Sequence, residues 1–259
     1  MLTAATLLQQ AIRLLTRSPL TTLTVLMPAL IMMSAVGIIA AFATPGILLA
    51  SPAGPILNSI ESGLKAAGVI AAFILSYAAM AILWHRHTLR DTCTISPISF
   101  ALLRGYVWRV LALALIQLAA SLALVTPLVL FSNSVNGGTG TPSPSSIIFS
   151  TFIIQLTLIW LSLRLSLILP SAALGKPISM AESWQQTKAM SRTLWSVAAV
   201  LAAVNTCFAG LTSLLAPTSP PQRLLIEMPV LIFEGLLIFS VLTALYTCTT
   251  PNQKSALPQ

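Results

Sequence analysis

Charged residues are scarce in this chain. Only 7% of its 259 residues are Asp, Glu, Lys or Arg, and five of these are acidic. Soluble domains carry about 25% charged residues, so we expect a single integral membrane domain over residues 1–259. The chain has two histidines and no Ser-His-Asp, HExxH, Walker or GxGxxG pattern. We therefore expect no enzymatic activity, no cofactor and no metal site.

Cysteine is also rare. The chain contains Cys93, Cys207 and Cys248, and no CxxC or His-paired spacing joins them. A disulfide framework needs cysteines exposed to an oxidising compartment, and the loops predicted to face outward carry none. The three cysteines are interpreted as small apolar fillers or ordinary thiols.

Long apolar runs account for most of the chain, which is 56% hydrophobic with a mean hydropathy of +0.93. A bilayer core of about 30 Å requires about 20 apolar residues in a helix. Runs of this length predict an all-α fold, a polytopic transmembrane helical bundle with six spans. The predicted spans cover residues 20–42, 66–84, 110–131, 147–169, 195–216 and 228–250.

Lys and Arg are unevenly distributed among the loops. Ten of those outside the spans fall at one end of the predicted bundle, and only Lys65 and Arg223 fall at the other. Short basic loops stay in the cytoplasm, so both termini are predicted to be cytoplasmic. The net charge of +8 is dispersed beside apolar spans, which favours anionic membrane lipids over nucleic acid as the partner. The predicted lipid-headgroup contacts are Arg13, Arg17, Arg86, Arg90, Arg104, Arg109, Arg164, Lys188 and Arg192.

Three connectors at the basic end have an amphipathic pattern. Ser179 followed by Glu182 forms a capping box, which predicts a helix over residues 179–194 lying along the membrane interface. Similar helices are predicted in the N-terminal segment and over residues 97–108, so the bundle would contain three repeated units. The alternative is that any basic amphipathic connector produces such matches. The tryptophans near this boundary are predicted to be interfacial anchors: Trp84, Trp108, Trp184 and Trp195.

Glu234 is the strongest candidate for a functional side chain. It lies about two turns inside the sixth span, where a carboxyl is expected to be paired, protonated or facing water. Arg164 enters from the other side, about 15 Å away in depth, and is predicted to extend toward the headgroups instead. Gln155, Asn205 and Tyr77 lie at depths closer to Glu234 and could line a polar pocket with it. The alternative is that these groups only form hydrogen bonds between helices.

His85 and His87 flank Arg86 at the end of the second span. Residues two apart on a helix point to different faces, so the pair is a poor metal site. We expect a solvated cluster at the interface.

Residues 164–187 carry a resemblance to a known family. The segment Arg164-Leu-Ser-Leu-Ile-Leu-Pro170, then Ala172-Ala173-Leu174-Gly175, then Glu182-Ser183-Trp184-Gln185-Gln186-Thr187, resembles a pattern in an uncharacterised family of six-span bacterial inner-membrane proteins. These proteins are distantly similar to the membrane domain that accompanies some glycerophosphodiester phosphodiesterases. The resemblance implies a six-span fold in a bacterial inner membrane. It implies no activity, because the catalytic domain is absent here.

Two functions are compatible with these observations. The first is a non-enzymatic accessory protein of the inner membrane that binds lipid headgroups and other membrane proteins through its interfacial helices. The alternative is a small-solute transporter that uses Glu234 as an intramembrane coupling acid. A membrane enzyme ranks third, because no catalytic motif supports it. A water-accessible cavity that reaches Glu234 would distinguish the first two.

Overall fold

A computed structural model describes residues 3–43, 60–90, 99–135, 144–215 and 220–249. These ranges are almost entirely helical and contain no β-strand. A short 3-10 helix covers Lys188–Met190. The α-helices are α1 (Ala4–Thr16), α2 (Pro19–Ala43), α3 (Ile60–Arg90), α4 (Phe100–Val135), α5 (Pro144–Leu165), α6 (Ile168–Ala173), α7 (Met180–Gln186), α8 (Ser191–Leu215) and α9 (Pro220–Thr249).

Six stretches of helix in the described chain are long and apolar enough to cross a membrane, which confirms the predicted all-α bundle with six spans. The third span begins earlier than predicted, because α4 runs unbroken from Phe100 through the connector that carries Arg104 and Arg109. The observed spans are Pro19–Ala40, Gly63–Leu89, Phe100–Pro127, Phe149–Ala173, Lys188–Thr212 and Ile226–Thr249.

The helix α9 lies at the centre of the bundle and contacts α1, α2, α3, α6 and α8. The most extensive pairings elsewhere are α2 with α3 and α5 with α8. The helix α4 is peripheral: only 6% of its apolar window is buried, against 44% in the span of α9. Most of the α4 surface over Phe100–Pro127 is therefore available to lipid.

Most of the large, fully buried side chains lie at the end of the bundle that holds α1, the end of α3, the start of α4, α6, α7 and the end of α9. We call this the basic end, and the opposite end the far end. Met80, Trp84 and Leu245 are fully buried there. Every residue of α6 is buried as well. Short helices at the basic end thus complete a core that the spans leave open.

Pro170 lies in the first turn of α6, just after the break between α5 and α6. Proline has no backbone N–H, so it cannot donate to the carbonyl of Ser166 as a helix requires. The amide of Leu169 bonds that carbonyl instead, at 3.0 Å, in a tight turn. The fourth span therefore consists of two helical pieces.

The N-terminal helix α1 packs on α9 and α8. A capping box between Thr3 and Thr6 begins it, with the Thr6 amide 3.3 Å from the Thr3 hydroxyl. Leu7 and Ala11 are fully buried, whereas Ile12 is 52% exposed. The buried face of α1 is therefore rotated away from Ile12 and covers protein.

The predicted helix over residues 179–194 begins as expected but is not continuous. Glu182 accepts from the Ser179 amide at 2.6 Å, and Ser179 Oγ accepts from the Glu182 amide at 3.2 Å, which confirms the capping box. α7 then ends at Gln186, and the chain passes Thr187 into the 3-10 helix. The start of the predicted helix over residues 97–108 lies outside the described residues. The described part of that helix is continuous with α4, so the three connectors are built differently.

Candidate functional site

A cavity of about 530 Å³ opens at the far end of the bundle among α2, α3, α5, α8 and α9. Its walls are largely apolar, with carboxyl and amide side chains on α5, α8 and α9. Such a mixture of apolar wall and a few polar groups is typical of small-molecule sites. The lining residues are Val36, Gly37, Ala40, Val69, Ile70, Phe73, Gln155, Asn205, Phe208, Ala209, Thr212, Glu227, Met228, Val230, Leu231 and Glu234.

The structure brings Glu234, Asn205 and Gln155 together on this cavity from three different helices. Each is partly buried. Gln155 also contacts α8, because its Oε1 lies 3.5 Å from the hydroxyl of Thr206 on that helix. The polar wall is thus formed across the α5–α8 pair and completed by α9.

Glu227 and Thr212 also line the cavity, and sequence reasoning missed both. Glu227 precedes Glu234 by seven residues, and Thr212 follows Asn205 by seven. A spacing of seven places two side chains on the same helix face, two turns apart. This periodicity is the signal that would have identified them.

No hydrogen bond or ion pair of the Glu234 carboxyl occurs within the described ranges. Arg164 lies elsewhere, with its guanidinium against α7. A carboxyl that is partly buried, borders an open cavity and makes no hydrogen bond or ion pair in the described chain is available to a proton or to a bound solute.

Tyr77 is not on the cavity wall. Its ring packs over Gly235, where an added Cβ would lie 2.7 Å from the Tyr77 hydroxyl. The ring centroid is 5.1 Å from that of Phe239 and 6.3 Å from that of Phe73, which does line the cavity. The structure therefore places Tyr77 beneath the cavity, between it and the basic-end core.

Arg164 departs most clearly from its predicted position. The sequence predicted a side chain that extends to lipid headgroups, but the residue is only 6% exposed. Its guanidinium carbon lies 3.6 Å from the ring centroid of Trp184, and its Nη2 donates to the Trp184 carbonyl at 2.9 Å. The carbonyl of Arg164 in turn accepts from Ser183 Oγ at 2.7 Å. Arg164 therefore joins α5 to α7.

The tryptophans predicted to be interfacial anchors have different environments. Trp84 is fully buried in the core, so its predicted role as an anchor is wrong. Trp195 stacks on Trp160 at 4.8 Å between centroids, and Trp184 meets the same ring edge-on at 5.9 Å. Trp108 is 72% exposed, as an anchor should be.

The other predicted headgroup contacts lie on helices at the basic end. Arg86 donates through Nε to the Ala173 carbonyl at 3.2 Å, and Arg109 donates through Nη1 to the Gly105 carbonyl at 2.8 Å; both are partly buried. The side chain of Arg90 lies outside the described residues. The exposed members of the set are Arg13, Arg17, Arg104, Lys188 and Arg192.

His85 is fully buried, so the predicted solvated cluster at this position is wrong. Its Nδ1 lies 2.9 Å from the hydroxyl of Thr243 on α9. Among the residues that the structure describes, no group of three or more His, Cys, Asp or Glu could hold a metal ion. His85 thus contributes a polar contact between α3 and α9.

The capping box at the start of α7 affects the ionisation of Glu182. The hydrogen bonds from the backbone and side chain of Ser179 stabilise the ionised carboxylate and hold the pKa of Glu182 below its usual range. The negative charge at this position also favours the start of the helix.

Comparisons with protein-family models, with curated proteins and with solved structures find no significant match to this chain. The function of the chain is therefore inferred from its own geometry.

Proposed function

We propose that this chain is a small-solute transporter of a bacterial inner membrane, with Glu234 as its intramembrane coupling acid and both termini in the cytoplasm. The observation that carries the proposal is the far-end cavity, on which the Glu234 carboxyl lies with two amides from neighbouring helices. A carboxyl in a span costs about 2.5–3.5 kcal/mol at the bilayer centre, and such residues usually serve a pathway for ions or solutes.

The cavity lining supports a class of solute. Its polar groups are two carboxyls, two amides and a hydroxyl, and no Lys, Arg or His belongs to the described lining. The remaining wall is aliphatic and aromatic. This chemistry favours a small amphipathic solute with a cationic or hydrogen-bond-donating group that meets Glu234.

A lipid-binding accessory protein is the second candidate. Exposed cations at the basic end support it, because each can meet an anionic headgroup at about 1 kcal/mol. This candidate does not explain why a carboxyl borders a cavity in the opposite half of the bundle. A transporter accounts for the carboxyl at the far-end cavity and also for the cations at the basic end, which set the orientation of the protein in the membrane.

Water access to the cavity provides a test that requires no knowledge of the solute. In a variant with its three native cysteines replaced, Asn205→Cys should react with a membrane-impermeant maleimide added to intact cells. Leu201→Cys is the matched control, because Leu201 lies one turn away on α8 and is 2% exposed. Equal labelling of the two positions, or no labelling at Asn205→Cys, would remove the cavity as an aqueous site.

Transport itself can be tested with a lipophilic cation in proteoliposomes. Uptake of tetraphenylphosphonium driven by a pH gradient should occur with the unsubstituted protein and be lost in Glu234→Gln, while the variant keeps its unfolding temperature. Glu182→Gln provides the control, because it removes an exposed carboxyl outside the cavity. Retained pH-driven uptake by Glu234→Gln would contradict the coupling role.

A further inference from the structure

A second cavity, of about 610 Å³, lies at the basic end and shares no residue with the far-end cavity. It is bounded by the first turns of α4, by α6 and by the residues that lead into α7. Its lining consists of Arg104, Gly105, Trp108, Arg109, Ala112, Ile168, Ile178, Ser179 and Met180. We call it the basic-end cavity.

The charged side chains that line the basic-end cavity are all cationic. Arg104 and Arg109 both line it, and no carboxylate belongs to its described lining. Arg109 uses one Nη1 bond to the Gly105 carbonyl, which orients the guanidinium and leaves its other N–H groups for a ligand. Arg104 is exposed. Two guanidinium groups without an acidic neighbour on the wall are suited to a phosphate, whose oxygens accept paired N–H bonds.

The rest of the lining is apolar, which a free anion would not need. Ile168 is 2% exposed and closes the cavity, and Ile178, Met180 and Ala112 add further apolar surface. Trp108, at 72% exposure, stands at its mouth. An occupant should therefore carry an apolar part beside its phosphate.

The surface of α4 continues from this cavity toward the far end. Leu111 and Leu115 follow Trp108 along the helix and are 42% and 68% exposed. Because only 6% of the apolar window of α4 is buried, an acyl chain can lie along it. The two arginines and this apolar surface match the two parts of a phospholipid.

We propose that the basic-end cavity is a specific site for one anionic phospholipid, with its phosphate between Arg104 and Arg109 and an acyl chain along α4. The site is independent of the proposed transport activity, since it lies at the opposite end of the bundle from Glu234. It also differs from diffuse attraction of cations to the membrane, because it requires two particular arginines beside an apolar wall.

The test compares two double variants that remove the same charge. Native mass spectrometry of the detergent-solubilised protein, titrated with phosphatidylglycerol, should show one tightly retained lipid. Arg104→Gln/Arg109→Gln should weaken its retention about tenfold or more, since two charge-assisted contacts are lost. Arg13→Gln/Arg192→Gln removes two exposed cations elsewhere at the same end and should leave retention unchanged. Equal weakening by both double variants would overturn the proposal in favour of diffuse charge.

Two further arms identify the source of the phosphate and guard against a variant that fails to fold. Inorganic phosphate at millimolar concentration should not displace phosphatidylglycerol; displacement would identify a free-anion site and contradict the lipid assignment. In the otherwise unsubstituted protein, phosphatidylglycerol with brominated acyl chains should quench tryptophan fluorescence more than brominated phosphatidylcholine does. That excess should vanish in Trp108→Phe. An excess that survives this substitution would place the lipid elsewhere.

Discussion

Replacing Arg164 by Met should destabilise the protein through loss of the contact between α5 and α7. The guanidinium rests 3.6 Å from the centroid of the Trp184 ring and donates to the Trp184 carbonyl at 2.9 Å. Methionine has a similar reach and fills the same apolar space, so the substitution removes the charge and the donors while limiting any cavity.

The size of the effect follows from opposing contributions. A desolvated cation–π contact stabilises by about 2 kcal/mol, and a hydrogen bond from a charged donor by about 1.5–3 kcal/mol. Releasing a buried charge from its desolvation offsets part of this loss. The Trp184 carbonyl also keeps a donor, since the Thr187 hydroxyl lies 3.1 Å away. We therefore expect a net loss of about 2 kcal/mol, or roughly 4–8 °C in Tm for a chain of this size.

Thermal unfolding in detergent measures the change. Lys188→Met is the control, because Lys188 is exposed and such substitutions usually change stability by less than about 0.5 kcal/mol. Arg164→Lys should give an intermediate Tm, since an ammonium keeps the charge but cannot stack its plane on an indole. Should Arg164→Met unfold within 1–2 °C, roughly, of the Lys188→Met control, the Arg164 contacts would carry no net stability and the reasoning would fail.

Three other predictions concern packing, ionisation and orientation. Gly235→Ala should lower the unfolding free energy by about 1–3 kcal/mol, because the added Cβ would lie 2.7 Å from the Tyr77 hydroxyl. Gly68→Ala is the control and should not lower the unfolding free energy in this way, because its Cβ would meet nothing within 4 Å. Equal unfolding temperatures of the two variants would contradict this prediction. The stability that the capping box adds to α7 should be complete above the ordinary glutamate pKa and lost as pH falls through the lowered pKa of Glu182. Hydrogen exchange in the first turn of α7 should show that step, and Glu182→Gln should abolish it because an amide does not titrate; a step that persists in the variant refutes the assignment. A reporter fused at the C-terminus should register the cytoplasm, and a periplasmic signal would reverse the predicted orientation.

The spans were predictable because the hydrophobic requirement of a bilayer acts on each helix separately. Their ends were less predictable. The predicted third span began at Val110, but the observed one begins at Phe100, because the cations at Arg104 and Arg109 interrupt the apolar run without ending the helix. Hydropathy measures where the lipid core ends, and a helix continues beyond it as long as its backbone bonds are satisfied.

Part of the far-end cavity was predictable by the same kind of reasoning. Counting 1.5 Å per residue from the helix ends places Asn205 and Gln155 closer in depth to Glu234 than Arg164 is. Depth does not determine which helices are neighbours. The contact of α5 with α8 and the central position of α9 are tertiary facts, and they decided that these residues share a cavity while Tyr77 lies beneath it.

The position of Arg164 could not be derived by matching charges. Its nearest contacts are an indole face and a backbone carbonyl, neither of which carries a formal charge. The relevant signal in the sequence was Trp160, four residues earlier on the same helix face, whose ring lies 5.5 Å from the guanidinium carbon. An aromatic residue near a lone cation in a span is therefore as informative as an acidic one.

The two ends of the bundle differ in how firmly they are packed, and α9 connects them. From Phe239 to Tyr246 its residues are buried, and Thr243 bonds His85 of α3. From Met228 to Ile238 most are only partly buried, and this half borders the cavity. The change occurs near Gly235, where Tyr77 of α3 packs directly on the α9 backbone. A movement that carried solute from Glu234 toward the basic end would have to separate α3 from α9 at this contact and then expose the His85–Thr243 pair. If the chain transports, the rate of that separation should depend more on the packing of Tyr77 over Gly235 than on any residue of the cavity wall.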